Sequence, residues 1–247
     1  MVVLAAAPLP GATRTVHVFV ALADNQHQGI VPVPARLGNG DDPERNLYWG
    51  AAYGVRTFFA RSADWKLVAQ QSNPKPAVLE RCIFRHRTQD VYLVADAYRG
   101  SEIKQALLDF FDAAAATAQE KIVVDVKATT LTAGGAASVV AYVGHDGLMD
   151  FELPRLPHDR NTEKRMAIIL ACASKQYFSA PLRASGAHPL LWTTNLMAPE
   201  AYTLKYALDG WIAGESDQQV RERAAAAYHQ YQKCGITSAR RLFVTGW

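Results

Sequence analysis

The strongest constraint on this chain is a series of short, almost unbroken apolar runs, each stopped by polar or glycine residues. They are Val16 to Ala23, Val91 to Ala95, Ala137 to Val143, Met166 to Ala171 and Pro189 to Thr194. Runs of this length cannot cross a membrane, which takes about 18 or more apolar residues. They read instead as strands covered on both faces, the pattern of a parallel sheet packed between helices. Weaker strand patterns occur at Leu67 to Gln71, Ile122 to Val126 and Leu242 to Val244. The alternation of Ile83 and Phe84 with charged residues between Arg81 and Arg87 predicts a half-buried strand rather than a basic binding patch.

Helical spacing fills the intervals. Asn46 is positioned to cap a helix through Trp49, Ala52, Tyr53, Val55, Arg56 and Phe59, and Ser101 one through Ile103, Ala106, Leu107, Phe110 and Phe111. Further helices are expected from Pro199 to Ile212 and from a cap at Ser216 to about Lys233. Strands alternating with helices predict an α/β fold, a three-layer α/β/α sandwich with a mostly parallel central sheet and right-handed crossovers. The 247 residues suit one such body. Residues 1–15 are set apart as a flexible N-terminus or signal-peptide remnant, leaving 16–247 as the domain. If 1–12 is such a remnant, a periplasmic or secreted location follows. The segment from Asn25 to Asn46, rich in glycine and proline, is expected to be a long loop of the kind that carries function.

Composition excludes several classes. Lys and Arg total 26 against 23 Asp and Glu, a net charge of +3 that is too small and too scattered for a nucleic-acid footprint. Cys82, Cys172 and Cys234 lack the paired spacing of a structural zinc site. The chain contains no nucleophile-elbow serine motif, no phosphate-binding loop, no HExxH and no complete dinucleotide fingerprint. No cofactor and no metal are therefore expected, and neither is membrane insertion.

Ligands in open parallel sheets bind beyond the carboxyl ends of the strands. The residues there are Asp24 and Asn25, His145-Asp146-Gly147, Cys172-Ala173-Ser174 and Asn195. Two parallel strands joined by a crossover can stand side by side, which would bring His145 and Cys172 to one rim. An imidazole is what a thiol needs to become a thiolate nucleophile, and the amides of Gly147 and Asp146 could hold an oxyanion. Cysteine is also among the most often buried residues, so a thiol after an apolar strand is equally a core feature.

The segments SVVAYVGHDG and MAIILACAS, two hydrophobic strands ending in His and in Ala-Cys, resemble those of the caspase-like cysteine peptidases, the group of caspases, metacaspases, legumain, gingipain and separase. VHVFVALADN with NLYWGAAYGVRTFF is similar to the first strand, loop and helix of that group, and LLWTTNLMAPEAY to its fifth strand and following helix. The resemblance spans most of residues 16–214 and implies a caspase-like fold in a divergent, bacterial-type cysteine endopeptidase acting on a peptide or protein substrate. His145 would be its acid/base and Cys172 its nucleophile. It also implies that Asp24, with Asn25, Ser174 and Asn195 nearby, shapes the substrate pocket, an acidic wall suited to Arg or Lys. The family has Gly directly after the His, whereas here Asp146 precedes Gly147. That carboxylate could pair with His145 or displace the oxyanion amide, leaving an inactive, caspase-shaped protein that binds a partner. A third reading, a metal-dependent phosphohydrolase on His145, Asp146, His158 and Asp159, is weaker because the second pair follows no strand.

Overall fold

The computed structural model describes residues 13–124, 129–158 and 165–247. Residues 1–12 of the expected N-terminal segment 1–15 and Asp159 fall outside them, whereas Arg14 and Thr15 already belong to the first strand. The fold is mixed α/β, with an eight-stranded sheet in the order β10-β9-β8-β7-β1-β4-β3-β2 and a separate β5–β6 hairpin. The strands are β1 (Arg14–Ala21), β2 (Trp65–Lys75), β3 (Val78–His86), β4 (Val91–Tyr98), β5 (Gln119–Val124), β6 (Thr129–Gly134), β7 (Val139–Val143), β8 (Met166–Leu170), β9 (His188–Thr193) and β10 (Phe243–Val244). The helices are α1 (Val55–Arg61), α2 (Ile103–Ala114), α3 (Ser174–Ser185), α4 (Ala201–Ile212), α5 (Asp217–Gln232) and α6 (Ile236–Leu242).

All five long apolar runs form neighbouring strands. β9, β8, β7, β1 and β4 pair in parallel, so their carboxyl ends open on one edge of the sheet. β3, β2 and β10 run antiparallel at the two flanks. Side chains alternate between faces. Val16, Val18 and Val20 pack with Trp49, Phe59 and the apolar sides of α4 and α5, while Phe19, Val140 and Tyr142 pack with Leu107 and Phe110 of α2 and Phe178 of α3. Each such fully buried Val or Phe contributes roughly 1.5–3 kcal/mol of transfer free energy, which is why runs apolar on both faces settle at the centre of the sheet.

The strand at Arg81 is more deeply buried than its alternation suggests. The β5–β6 hairpin lies over this part of the sheet and closes a separate apolar cluster of Ile83, Tyr92 and Val94 with Ile122, Val124 and Leu131. Charged side chains caught beneath it are paired. Arg81 donates through Nε and a terminal nitrogen to both oxygens of Asp96 at 2.6 and 2.7 Å, and also to Glu120 at 2.7 Å. Glu120 in turn accepts from Lys75. His17 accepts from the Gly134 amide at Nδ1, so its Nε2–H faces Asp96 at 3.2 Å. The network ties β1, β3 and β4 to the hairpin.

The helix expected from Asn46 begins later, at Val55, with Gly54 at its N-cap position. Asn46 is fully buried and takes a different role. It accepts from the amides of Ala23 and Tyr48 and donates to the carbonyls of Ala23 and Asn39, fastening the long loop to the end of β1. The last long helix starts where expected, with Ser216 and Gln219 forming a reciprocal capping box.

Candidate functional site

The parallel pairing of β7 and β8 aligns Val143 opposite Leu170. His145 and Cys172 each lie two residues further on, at equal steps beyond neighbouring strands. Gly144 makes the exit of β7 possible. Its φ is +151°, and a Cβ there would stand 2.9 Å from the carbonyl oxygen of Ala21. Beyond it the chain forms a short 3₁₀ turn over Gly147–Met149 that folds back on His145. The His145 carbonyl accepts from Tyr142 Oη at 2.7 Å and from the Gly147 amide at 3.1 Å. Its ring, buried at 8% exposure, presents Nε2 to Asp150 Oδ2 at 2.7 Å. That pairing fixes the ring and its tautomer, leaving Nδ1 as the basic nitrogen.

Cys172 sits in the tight turn between β8 and α3, half-buried. Ala173 follows it in the left-handed conformation, φ 47° and ψ 32°. The turn is held from β9. The Ala173 amide donates to the Asn195 carbonyl at 2.9 Å, the Ser174 amide to Thr193 Oγ1 at 3.1 Å, and Thr193 Oγ1 to the Ala171 carbonyl. A left-handed alanine costs about 1–2 kcal/mol. Ala173→Gly is therefore expected to raise stability by up to about 1 kcal/mol after the entropy that glycine adds to the unfolded chain. Urea unfolding tests the sign, which is opposite to that of an ordinary Ala→Gly change within a helix.

Among the described residues, the thiol and the imidazole make no hydrogen bond to each other. Met197 holds the thiol instead. Its amide donates to Cys172 Sγ at 3.4 Å, and its carbonyl accepts from the thiol at 3.6 Å. Burial pushes the Cys172 thiol up from its ordinary value, the Met197 amide opposes this, and the charge of Asp146 adds to the rise.

Asp146 is fully buried. Its Oδ1 accepts from the Leu148 amide at 3.0 Å, while Oδ2 has no partner among the described residues. Burial, reinforced by the charge of Asp150 and opposed by the Leu148 amide, pushes its carboxyl up to about 7. His145 pairs with Asp150, not with Asp146.

The remaining sequence-nominated residues reach the same rim, but several are engaged by the fold. Asp24 Oδ1 accepts from the amides of Gln26 and His27, and Oδ2 faces His27 Nδ1 at 2.8 Å, so the carboxylate closes its own turn. Asn25 bonds both backbone groups of Val33. Ser174 is fully buried, its hydroxyl directed to the Ile169 carbonyl at 3.2 Å. The Gly147 amide is held inside the turn by His145. Asn195 is exposed beside Cys172. Sequence reasoning missed Asp150 and Met197, whose parts depend on turn geometry five residues after the His and 25 after the Cys.

No protein-family model matches the chain, and neither a curated protein nor a solved structure matches it. Among the described residues, no cluster of three or more His, Cys, Asp or Glu is arranged to hold a metal ion. No described helix is long and apolar enough to cross a membrane.

Proposed function

We propose that this chain is a cysteine endopeptidase of the caspase-like type, its sheet and helices forming a three-layer α/β/α sandwich, with Cys172 as nucleophile, His145 as acid and base, and Asp150 orienting the imidazole. The observation that carries this reading is the register of β7 and β8, which brings His145 and Cys172 to adjacent places on one rim. In the proposed reaction the thiol turns from Met197 and passes its proton to His145 Nδ1. The thiolate then attacks a peptide carbonyl, and the imidazolium returns the proton to the leaving amine. Water, deprotonated by the same nitrogen, hydrolyses the thioester and frees the thiol. Apo geometry looser than the reacting complex is ordinary for such sites.

A peptide suits the surroundings. Val31, Tyr53, Met149 and Leu196, among the most exposed large apolar side chains, stand on segments that follow β1, β7 and β9. A cavity of about 510 Å³ between the long loop and the chain after β9 is lined by Arg36, Arg45, Leu47, Tyr53 and Glu200. Glu200 lies three residues after Met197, which holds the thiol. This cavity is a better side-chain subsite than Asp24, whose oxygens are engaged. Hydrolysis of a mixed peptide library, read by mass spectrometry of new termini, tests the reading. Cleavage by the wild type that disappears in Cys172→Ala is expected; cleavage unchanged by that substitution, or none under reducing conditions, would overturn it.

A second reading has its own support. Met197 holds the thiol and burial suppresses its ionisation, both consistent with an inactive protein that uses the apolar rim to bind a peptide partner. Peptide binding equal in wild type and Cys172→Ala, with no hydrolysis by either, is its expected signature.

A further inference from the structure

Asp146 is the one buried acid at the rim with an oxygen left unpartnered among the described residues, and no step of the proposed reaction uses it. An uncompensated carboxylate in such a place is costly, and the group relieves the cost by keeping its proton. The titratable groups facing it offer no cation to hold the charge. They are Asp150 on its own turn, Tyr142 on β7, and Cys172 on the turn after β8, while Tyr48 from the long loop faces Cys172 and Tyr142. The one basic neighbour in sequence, His145, directs its ring to Asp150. Lys104 lies over the Phe151 ring at 5.6 Å, and Phe151 in turn is the side chain nearest Gly147.

We propose that Asp146 is a positioning residue acting as a proton-controlled brake on Cys172: protonated, it permits the thiolate; ionised, it opposes the thiolate by like charge. The inference deepens the peptidase reading of this site, but its physical content is thiol reactivity and does not require hydrolysis. Three observations converge on it. The side chain is wholly buried, one of its oxygens has no hydrogen-bond partner among the described residues, and it follows the end of β7, the strand paired in register with the β8 strand that delivers Cys172. With the carboxyl pushed up to about 7, the brake engages as pH rises through neutrality, so thiolate formation above that point lags behind the simple titration of a thiol.

The test is the rate of iodoacetamide alkylation at Cys172 from pH 5 to 9, followed by peptide mapping so that Cys82 and Cys234 are read separately. The wild type is expected to show an inflection near pH 7 above which reactivity lags behind simple thiol titration. Asp146→Asn is expected to remove that inflection and to react about tenfold faster at pH 8, the change that one unit in thiol ionisation produces. Asp146→Ser, which lacks any ionisable group, is expected to do the same and replaces the asparagine variant if that one does not fold. Superimposable profiles for wild type and variant, or a wild type without the inflection, overturn the brake. Loss of the inflection in a protein that hydrolyses no peptide leaves the brake standing and removes the peptidase reading, so the two fail separately.

Discussion

His145→Ala is expected to slow peptide hydrolysis by about 10²–10⁴-fold, the usual contribution of a positioned acid–base group. Burial raises the Cys172 thiol, so it does not ionise unaided near neutrality, and the proposed proton acceptor is the imidazole. The loss is expected mainly in kcat, with substrate affinity retained, because the rim and the cavity behind it remain intact. Added imidazole is expected to restore part of the rate. Asp150→Asn is expected to fall between wild type and His145→Ala, since it weakens the ring's orientation without removing the base. Steady-state kinetics on one cleaved peptide measures all three, and a His145→Ala variant as fast as wild type would contradict the proposed mechanism.

The largest effect on stability is expected at Arg81, far from the rim. Arg81→Met leaves Asp96, fully buried, with the His17 ring as its remaining side-chain partner. Breaking a buried pair by removing one partner costs about 3–5 kcal/mol, because the other charge is stranded. Burial alone would push Asp96 upward, but hydrogen bonds from Arg81 and His17 more than offset it and hold the carboxyl below the ordinary range. A carboxyl depressed in the folded state stabilises the protein above its unfolded value, near 4, and loses that contribution as pH falls towards the folded value. The deficit of Arg81→Met is therefore expected to be full at pH 7 and to shrink below about pH 4, where the wild type loses the same contribution. Arg81→Met combined with Asp96→Leu is expected to recover much of the loss, since an apolar pair of similar volume often substitutes for a buried ion pair. Urea unfolding of the single and double variants at both pH values checks the sign and the coupling.

The parallel core was legible because a strand buried on both faces needs an apolar residue at almost every position, and the runs ending before Asp24, Gly144 and Cys172 have this property, broken only at His17 and Ser138. Those same runs located the rim. What the sequence hid was long-range or conformational. Asn46 has the composition of a helix cap, yet its amide serves two loop segments that become neighbours only when the long loop closes on β1. β3 alternates like a half-exposed strand, and Arg81 is buried because a hairpin some forty residues later covers it. α3 carries Pro181 and a polar exposed side, which masks its helical period. At the site, His145 and Cys172 were legible as strand-end residues, whereas Asp150 becomes a partner of His145 only through the 3₁₀ turn. The burial of Asp146 could not be read from a His-Asp-Gly triplet that looks like an exposed turn.

The carboxyl ends of β7 and β8 are proposed to form a thiol–imidazole centre that attacks peptide carbonyls. Its most direct measurement is covalent trapping by a library of peptides bearing an acyloxymethyl ketone, with the adduct mapped by mass spectrometry. Labelling confined to Cys172 and abolished by His145→Ala is the expected result. Labelling of the exposed Cys234 in preference to Cys172, or at Cys172 undiminished without His145, would contradict it.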